Sequence, residues 1–427
     1  MNSPQPIHVA IIGGGLCGLA LAVALKQRDI SFKVYEARSS FTELGAGINI
    51  GPNTLEAFRL IDASLGNAYL ATAARNPSGK EHVWFDVRLG AAIDGHKDGE
   101  TITSLMAPPT GSMCIGRDAL LQLLAQKAGL LDGPGRVSAA FDKKLTHLEQ
   151  SASGVTMHFE DGTSEQASAV VACDGIHSAA PAVPQYSEAG VYRAMLPVQE
   201  LEKVLGHDMA RTSQVFPGPK GYLILYPVSD TMMNTGFWVW RRGTWPHREW
   251  VLPGRKNKMD DDLRDWGDTV RGIMNLAPNP PFMATHYHAV QPESHWRNRV
   301  CLIGDAAHAM PPHAGAGSGQ AMEDAYVMAE VFRLVNKIDH TQAEVNAAFS
   351  AYEAVRRPRY QSIVETSVES MHTWSDLYDT SITQERLADW TKLAHTRFES
   401  IWNHDIGADA RNAQAMMREK LKRQTAI

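Results

Sequence analysis

The chain has few of the residues that define several large classes of protein. Only four of its 427 residues are cysteines, namely Cys17, Cys114, Cys173 and Cys301, and they are far apart in the sequence. Because no C-x-x-C pair or metal-binding spacing occurs, the sequence predicts neither a disulfide framework nor a cysteine-ligated metal site. We expect four buried free thiols in a reducing compartment, and we predict no metal ligands.

Long apolar runs and basic clusters are also missing. No run of about 18 apolar residues occurs, which argues against a transmembrane helix. The first predicted strand begins at His8, which leaves no room for a signal peptide. The formal net charge is −6 and no basic cluster is interleaved with aromatic residues, which argues against nucleic-acid binding. The sequence therefore predicts a cytoplasmic protein with no membrane or nucleic-acid partner, divided into two or three domains.

The most informative segment runs from residue 7 to residue 36. A short apolar strand is followed by Gly13, Gly15 and Gly18 in the pattern G-x-G-x-x-G, then by a helical run and a second strand that ends at Glu36. The first glycine permits a tight turn, the second lets the backbone approach a pyrophosphate, and the third lets helix and strand pack closely. The first helical turn then binds phosphates, and Glu36 is placed to accept hydrogen bonds from a ribose diol. This pattern predicts a dinucleotide-binding βαβ unit.

Two more acidic residues follow apolar strands. Asp174 stands in an Asp-Gly pair after residues 169–172, and Asp305 stands in a Gly-Asp pair after residues 300–303. Ligands of open α/β sheets bind outside the carboxyl ends of the strands. An isolated Asp-Gly pair is usually only a turn. Together with Glu36, however, these residues predict that three strand-end acids share one cofactor-binding edge.

The segment from about residue 183 to residue 290 has a different character. It contains aromatic-rich, strand-like stretches separated by Gly/Pro turns, which predicts a mainly antiparallel sheet. The buried parallel strands return near residue 300, so this sheet interrupts the first domain in sequence. We therefore predict an α/β fold in which a Rossmann-like domain is interleaved with a mainly antiparallel domain and is followed by C-terminal helices.

The order of the motifs resembles that of the group A flavoprotein aromatic hydroxylases. The shared pattern spans nearly the whole chain and consists of the glycine motif with Glu36, then Arg117, Asp174-Gly175, Gly304-Asp305 and Pro312-His313-Ala314-Gly315-Ala316-Gly317. The resemblance implies bound FAD, with NAD(P)H as co-substrate and O₂ as oxidant. It implies a p-hydroxybenzoate hydroxylase-like FAD-binding domain of residues 1–75, 111–180 and 291–370, a substrate-binding domain of residues 76–110 and 181–290, and a C-terminal helical segment of residues 371–427.

Matched position by position, the resemblance also implies a set of cofactor-binding residues: Gly13, Gly15, Gly18, Glu36, Gly47, Arg117, Asp174, Asp305, Pro312, Gly315, Ala316 and Gly317. Glu36 would hold the adenosine ribose, Arg117 would contact FAD near its pyrophosphate, and Asp305 would bind the ribityl–pyrophosphate region. The 312–317 turn would lie beside the isoalloxazine, where a helix N-terminus stabilises the negative charge of reduced flavin. The family carries a short basic helix after Asp-Gly, whereas this chain continues at once with Ala179-Ala180-Pro181, either because the loop is deleted or because it is absent from the sequence as numbered, so we assign no nicotinamide contacts.

Two segments, residues 83–88 and 401–405, resemble salicylate hydroxylases within this family. Phenol-dearomatising monooxygenases that tailor polyketides share the second segment and Tyr192-Arg193. The resemblance implies hydroxylation of a small phenolic acid through a flavin C4a-hydroperoxide, with decarboxylative conversion of salicylate to catechol as the first interpretation. Tailoring of a polyketide or other secondary metabolite is the alternative. Both a monomer and a homodimer stay open.

Four catalytic residues are predicted: Arg193, Tyr226, His313 and Arg242. A phenol with a pKa of ~10 is ionised to only about one part in a thousand at pH 7, so full ionisation needs about 4 kcal/mol. One charge-assisted hydrogen bond contributes about 1.5–3 kcal/mol, so two groups are needed. We expect Arg193 with Tyr226 or His313 to hold the phenolate, and Arg242 to hold a carboxylate.

Each of these residues also has a structural interpretation. Arg193 would pair with a surface acid, and Tyr226 would be a core residue whose hydroxyl is satisfied within the protein. Arg241 and Arg242 are expected on opposite faces of one strand, so only one of them would face a given cavity.

Overall fold

The structure is a computed structural model that describes residues 6–41, 47–93, 95–131, 138–178, 182–378 and 383–425. The described strands are β1 His8–Ile12, β2 Ser31–Tyr35, β3 Gly47–Ile50, β4 Ala74–Arg75, β5 Val83–Arg88, β6 Thr101–Met106, β7 Met113–Gly116, β8 Ala139–Ala140, β9 Leu145–Gln150, β10 Val155–Phe159, β11 Ser164–Ala167, β12 Ala169–Ala172, β13 Gln185–Pro197, β14 Gln214–Gly218, β15 Gly221–Pro227, β16 Met232–Trp240, β17 Val251–Leu252, β18 Phe282–Tyr287, β19 Trp296–Arg297 and β20 Val300–Leu302.

Helices connect and cover these strands. The described α-helices are α1 Leu16–Lys26, α2 Pro52–Ile61, α3 Ala63–Thr72, α4 Arg117–Ala128, α5 Val198–Leu205, α6 Lys256–Asp262, α7 Asp268–Asn275, α8 Asp305–His308, α9 Gly317–Phe332, α10 Gln342–Asp376, α11 Gln384–Trp402 and α12 Ile406–Thr425. Short 3₁₀ turns occur at Gly175–His177, Met209–Arg211 and Pro312–Ala314. Within the described ranges, no helix combines the length and apolar character that crossing a lipid bilayer requires.

A parallel sheet forms the first half of the fold, with the strand order β19-β20-β12-β1-β2-β8. Only β19 pairs antiparallel to its neighbour. Successive side chains of β1 point to opposite faces, so Val9 and Ile11 pack against the helices, whereas Ala10 and Ile12 pack against β10. A strand buried on both faces reads as a continuous apolar run, which is why His8–Ile12 has no alternating pattern.

Helix α1 lies at the centre of the helical layer. Its residues from Leu16 to Leu25 are all buried, and it packs against α4 and α9. A helix that is apolar on every side can be stable in water only when other elements surround it. This packing fixes the glycine turn between β1 and α1 at the edge of the parallel sheet.

The second half of the fold is an eight-stranded sheet with the order β17-β18-β13-β16-β15-β14-β5-β6. All of its pairings are antiparallel except the one between β14 and β5. One face packs on α5, α6 and α7 through side chains such as Leu223, Leu225 and Phe237. The predicted mixed α/β fold is thus confirmed, whereas the exact domain boundaries stay a prediction.

A three-stranded antiparallel sheet, β11-β10-β9, covers the other face of the parallel sheet. Gly162 has a φ of +83° in the turn that joins β10 and β11, in agreement with the hairpin predicted around Asp161-Gly162. The four cysteines are buried free thiols, as expected.

Candidate active site

A cavity of about 1690 Å³ lies between the parallel sheet and the eight-stranded sheet. The last residues of four parallel strands line one side of it, namely Ile12, Tyr35, Ala172 and Leu302. The other side is formed by β13, β15 and β16 of the large sheet. The cavity therefore joins the predicted cofactor edge to the predicted substrate sheet.

The glycine turn fits the pyrophosphate of a dinucleotide. Gly13 has a φ of +101°, and a Cβ atom there would lie 2.5 Å from the carbonyl oxygen of Cys173. A Cβ atom on Gly18 would lie 2.0 Å from the carbonyl oxygen of Gly13, so this glycine lets α1 pack closely on the turn. A Cβ atom on Gly15 would meet no atom within 4 Å, and Gly15 lines the cavity. The turn thus leaves open space where a phosphate approaches the backbone.

Glu36 lies beside this turn and is held by it. The backbone N–H of Gly14 donates a hydrogen bond of 2.6 Å to Glu36 Oε2, and the N–H of Arg38 donates one of 2.8 Å to Oε1. The carboxylate is half-buried and lines the cavity. It is therefore oriented before any ligand arrives and retains lone pairs for a ribose diol.

Asp174 and Asp305 also line the cavity, as does Arg117 at the start of α4. Asp174 Oδ1 is buried and has no hydrogen-bond partner among the described residues. Burial raises the pKa of Asp174, against the opposing hydrogen bond from Ser178. An unsatisfied buried acceptor is costly, so a polar partner at this place is expected. The donor groups of a ribityl chain or a ribose fit that requirement.

Asp305 is positioned by a buried ionic network behind it. Asp324 Oδ2 accepts a hydrogen bond of 2.9 Å from the N–H of Gly304 and lies 2.6 Å from His308 Nε2. Arg356 Nε donates a hydrogen bond of 2.8 Å to Asp324 Oδ1. Although burial opposes ionisation, the neighbouring His308 and Arg356 hold the pKa of Asp324 below its usual value. The network fixes both ends of the short helix that presents Asp305 to the cavity.

The turn from residue 312 to residue 317 lines the same cavity. Its 3₁₀ segment, Pro312–Ala314, ends at Gly315, which has a φ of +61°. Helix α9 begins directly afterwards at Gly317. The free N–H groups of this helix start therefore lie at the cavity, as predicted for a group that stabilises negative charge.

The large sheet presents one continuous face to the cavity. Strand alternation puts Tyr222, Ile224 and Tyr226 of β15 on this face, and Asn234, Gly236 and Trp238 of β16 beside them. From β13, Val191 and Arg193 complete the face. Among the described residues, Arg193 is the only charged side chain that this sheet contributes to the cavity lining.

Gly236 lies directly opposite both Arg193 and Ile224 in the sheet register. A Cβ atom at Gly236 would lie 3.3 Å from the side chains of Ile224 and Val191. This part of the sheet face beside Arg193 is therefore closely packed, and a side chain at Gly236 would push these neighbours apart. Arg193 Nε is buried there and has no hydrogen-bond partner among the described residues.

His313 lines the same cavity and is buried in a group of aromatic rings. Its ring centroid lies 4.9 Å from that of Trp238, 5.3 Å from that of Trp240 and 5.8 Å from that of Tyr222. The hydroxyl of Tyr222 lies 3.0 Å from His313 Nδ1. Trp374 Nε1 donates a hydrogen bond of 3.4 Å to the backbone carbonyl of His313.

The second ring nitrogen of His313 is not used by the protein. His313 Nε2 is buried without a hydrogen-bond partner in the described part of the chain. Burial, assisted by the charge of His372, lowers the pKa of His313 to about 3. The imidazole is therefore neutral at physiological pH, and one of its two nitrogens must carry a proton.

Of the two interpretations of Tyr226, the structure favours the core tyrosine whose hydroxyl is satisfied within the protein. Its hydroxyl donates a hydrogen bond of 2.7 Å to the carbonyl of Gly47, whose N–H donates one of 3.4 Å to Asn234 Oδ1. Burial raises the pKa of Tyr226, against the opposing charge of Arg193. Because its proton is engaged by Gly47, Tyr226 cannot donate to a phenolate without giving up that bond. Tyr226 and Asn234 instead fix the backbone where β3 begins.

The structure does not bring Arg242 to the cavity. β16 ends at Trp240, so Arg241 and Arg242 do not continue the strand as expected, and Arg242 is exposed. Arg241 is engaged elsewhere, since it donates to the hydroxyl of Tyr192, forms an ion pair with Asp262 and lies over the ring of Phe282. The expectation that Arg242 binds a substrate carboxylate is corrected accordingly, and Arg193 is the cation that faces the cavity.

Sequence reasoning missed Tyr222, Asn234 and Trp238. The alternation of side chains along a strand could have predicted Tyr222, because it lies four residues before Tyr226 and therefore on the same face. Trp374 carries no such signal, since α10 reaches the cavity only through tertiary packing.

Because the dinucleotide edge and the aromatic sheet face share one cavity, the fold and the site define an oxidoreductase whose cofactor acts directly on a second bound molecule. A family model described as FAD binding domain matches residues 6–367. The chain belongs to this FAD-binding family, and its cofactor is FAD.

Individual relatives are consistent with this assignment. The chain is 33% identical over 439 residues to a salicylate hydroxylase of Pseudomonas putida, covering 97% of this chain and 96% of that protein. It is 31% identical over 446 residues to a 6-methylsalicylate 1-monooxygenase of Aspergillus terreus, covering 100% of this chain and 96% of that protein. A solved salicylate hydroxylase substrate complex matches with a TM-score of 0.82 and 29% identity over 96% of this chain and 98% of that chain. The protein is thus an FAD-dependent monooxygenase of the salicylate hydroxylase type.

Proposed function

We propose that the protein catalyses the decarboxylative hydroxylation of salicylate or a close relative to a catechol, with NAD(P)H and O₂ as co-substrates. The observation that carries the proposal is that one cation, Arg193, and one neutral imidazole with an unpartnered nitrogen, His313, line the same aromatic-rich cavity. The names of the relatives in Pseudomonas putida and Aspergillus terreus support an ortho-hydroxybenzoate.

We propose that FAD is held by the residues that the sequence predicted and that line the cavity. The turn around Gly15 would receive the pyrophosphate, Glu36 the adenosine ribose, and Asp174 and Asp305 the ribityl region. The open space at Gly15 and the unsatisfied oxygen of Asp174 support this arrangement. When bound, FAD supplies the activation of O₂, and the side chains of the protein bind and polarise the substrate.

In this proposal Arg193 binds the carboxylate of the substrate. A guanidinium can form two parallel hydrogen bonds with a carboxylate, which fixes the plane of the ring as well as its position. Arg193 lines the cavity, and its Nε has no hydrogen-bond partner among the described residues, so the guanidinium retains a donor for such a pair. The ring itself would lie against the aromatic side chains of the sheet face.

His313 would hold the phenolate oxygen. If the hydroxyl of Tyr222 donates to His313 Nδ1, the proton of the neutral ring must be on Nε2. Nε2 then presents an N–H to the substrate. Tyr222 is thus a positioning residue that selects the tautomer, because a neutral tyrosine hydroxyl donates readily to an imidazole nitrogen.

The two groups together meet the energetic requirement. Ionising a phenol at pH 7 needs about 4 kcal/mol, and a charge-assisted hydrogen bond contributes about 1.5–3 kcal/mol. The N–H of His313 supplies one such bond to the phenolate, and the positive charge of Arg193 lowers the energy of the anion further. The buried aromatic rings around His313 exclude water, which strengthens both interactions.

The proposed reaction balances with one reductant and one O₂. Salicylate anion, NAD(P)H, O₂ and two protons give catechol, CO₂, NAD(P)⁺ and water. Oxygen adds to the ring carbon that bears the carboxylate, and the electron pair of the breaking C–C bond restores the aromatic ring as CO₂ leaves. Electron density from the phenolate oxygen activates that ortho carbon, which is why His313 and Arg193 must act on neighbouring substituents.

One observation favours a second candidate, namely oxygenation of a phenol without a carboxylate during the tailoring of a polyketide or other secondary metabolite. With Arg242 outside the cavity, the sheet presents a single cation, and one cation with His313 is also sufficient for a simple phenolate. In this candidate Arg193 holds the phenolate together with His313.

The experiment that decides between the two is a substrate panel with product identification. The FAD-loaded protein is mixed with salicylate, 6-methylsalicylate, 4-hydroxybenzoate or an alkylated resorcinol aldehyde, and NAD(P)H oxidation, O₂ uptake and CO₂ release are followed. We expect salicylate to give catechol and CO₂ with one NAD(P)H consumed. If salicylate neither binds nor stimulates NAD(P)H oxidation while the resorcinol aldehyde is oxygenated, the second candidate is correct.

A further inference from the structure

The three-stranded sheet β11-β10-β9 has one face that is not used in the core. Leu148 and Met157 lie on the inner face, which packs against the parallel sheet. Strand alternation therefore places His147, Glu149 and His158 together on the outer face. None of these three residues is among the predicted FAD or substrate contacts, although His147 also lines the cavity.

The three side chains converge. His147 and His158 are directly paired across the two strands, with ring centroids 4.1 Å apart and ring planes inclined by only 2°. Glu149 Oε2 lies 3.6 Å from His158 Nε2. One ligand atom of each residue lies within 4.8 Å of the corresponding atoms of the other two.

Hydrogen bonds among the described residues do not explain why the side chains of His147, Glu149 and His158 lie together. The distance of 3.6 Å between Glu149 and His158 is longer than a normal N–H···O hydrogen bond of 2.7–3.2 Å. His158 Nε2 has no hydrogen-bond partner among the described residues, although the atom itself is buried. Among the described residues, His147 forms a hydrogen bond only through Nδ1, which lies 3.2 Å from the hydroxyl of Thr146, so Nε2 is available to a ligand.

We propose that His147, Glu149 and His158 form a binding site for a divalent transition-metal ion, of which Zn²⁺ is the first choice. Two imidazole nitrogens and one carboxylate oxygen are ligands that Zn²⁺ prefers, with bonds of ~2.0–2.2 Å. Mg²⁺ and Ca²⁺ prefer oxygen ligands alone and would bind poorly. Because the ligand atoms lie within 4.8 Å of one another, rotation of the exposed His147 ring and the half-buried His158 ring about χ2 would bring both nitrogens to one ion.

The exposure of the site determines its properties. The side chain of Glu149 is 68% exposed and that of His158 is 29% exposed, so water would complete the coordination. An ion bound there would link β9 to β10 across the hairpin and so stabilise the folded state by mass action. The buried cysteines are not available as competing ligands.

Calorimetric titration of the FAD-loaded protein with ZnCl₂ in a non-chelating buffer at pH 7.5 tests the proposal. We expect one saturable site per chain in the unmodified protein, no such site for MgCl₂, and a rise in the unfolding temperature with Zn²⁺. His147→Ala and His158→Gln should each weaken the site by at least about tenfold, and Glu149→Gln should weaken it less.

His96 offers a matched control, because it is another partly exposed histidine that contacts a glutamate, with Nδ1 2.9 Å from Glu100 Oε1. His96→Ala should leave Zn²⁺ binding unchanged. Unchanged FAD content and unfolding temperature without metal will show that each variant is folded. Absence of a saturable site in the unmodified protein, or its survival in both His147→Ala and His158→Gln, would overturn the proposal.

Discussion

At the residue scale, the most direct prediction concerns Arg193. Arg193→Ala removes the cation that the large sheet contributes to the cavity lining, so the KM for salicylate should rise by about 10–150-fold, as expected for the loss of about 1.5–3 kcal/mol. Steady-state NAD(P)H oxidation measures this effect. Arg242→Ala is the control, because Arg242 is exposed and outside the cavity, and its KM should stay within about twofold of the parent value.

A large rise of the KM in Arg242→Ala would restore the original expectation for that residue. If the KM for salicylate does not rise in Arg193→Ala, Arg193 does not bind the substrate. The second candidate function would then also need another group to bind the phenolate.

Tyr222 is expected to act through His313 rather than on the substrate. Tyr222→Phe leaves ring packing intact but removes the hydroxyl that selects the tautomer of His313. We predict a decrease in kcat of roughly tenfold with a smaller change in KM. A tenfold decrease corresponds to a rise of about 1.4 kcal/mol in the activation free energy, which is the size expected for the loss of one hydrogen bond. Tyr192→Phe is the matched control, because Tyr192 lies on the opposite face of the same sheet and donates to Asp262.

Nitrogen chemical shifts of His313 provide a readout that a purely structural role would not change. In the parent protein the proton should be on Nε2, and in Tyr222→Phe the two tautomers should both be populated. A parent protein with the proton on Nδ1 would contradict the proposed role of Tyr222.

The lowered pKa of His313 predicts how stability depends on pH. The folded state keeps His313 neutral down to about pH 3, whereas in the unfolded chain an ordinary histidine takes up a proton below about pH 6.5. The unfolded state therefore binds more protons between these values, so stability is full above pH 6.5 and falls as the pH is lowered. Between pH 7 and pH 5 this single group should cost about 2 kcal/mol.

Chemical denaturation of the parent and of His313→Gln at pH 7 and pH 5 checks this expectation. The buried acids Glu323 and Asp324 are present in both proteins, so their contribution to acid destabilisation cancels in the comparison. His313→Gln should lose about 2 kcal/mol less than the parent over this interval. An equal loss in both proteins would show that His313 is not held neutral.

At the scale of elements, the turn between β1 and α1 separates folding from cofactor binding. Gly15 has extended backbone angles, with φ −74° and ψ −173°, and open space at its Cβ position, so Gly15→Val should fold normally. The new side chain occupies the space that the pyrophosphate needs, so the purified protein should be largely free of flavin. Absorbance at flavin wavelengths and circular dichroism measure the two effects.

Gly18→Ala should show the opposite result. A methyl group there would lie 2.0 Å from the carbonyl oxygen of Gly13, so α1 must move away from the turn. We expect a loss of about 1–3 kcal/mol in the free energy of unfolding, as for other overpacked positions.

Full flavin content in Gly15→Val would contradict the assignment of the turn to the pyrophosphate.

At the scale of the whole molecule, the buried network around Arg356 ties distant parts of the chain together. Arg356 lies on α10 and forms ion pairs with Glu323 and Asp324 on α9, and with Asp409 on α12. Asp324 in turn holds the N–H of Gly304, next to Asp305. The network therefore connects the C-terminal helices to the proposed cofactor edge.

Arg356→Met should destabilise the protein by up to about 3–5 kcal/mol, because it removes the buried cation that Glu323 and Asp324 share and leaves them only Arg359 and His308. Denaturant unfolding of the FAD-free protein measures this loss, and the affinity for FAD should fall as well. Arg423→Met is a suitable control, since Arg423 forms an exposed pair with Glu419 and should contribute less than about 1 kcal/mol. If Arg356→Met loses less free energy of unfolding than Arg423→Met, Arg356 is not needed to neutralise the buried carboxylates.

The sequence by itself determined the elements whose causes are local. The glycine pattern, the strand-end acids and the Pro312–Gly317 turn predicted a cofactor edge, because tight turns and helix starts need particular residues at fixed spacing. Except for Gly18, these residues do line one cavity. The buried parallel strands and the hairpin at Asp161-Gly162 are likewise marked by short patterns. The mixed α/β fold and FAD were predicted from these features and from the family resemblance that they carry.

Only the tertiary structure decided which side chains share the substrate end of the cavity. Arg193, Tyr222 and Gly236 become neighbours through the pairing of three strands, and sequence spacing does not specify which strands pair or in what register. The same holds for Tyr226, whose hydroxyl is engaged by Gly47, and for Arg242, which lies beyond the end of β16. Whether a cation faces a cavity or solvent depends on where its strand ends, and that is set by the neighbouring strands.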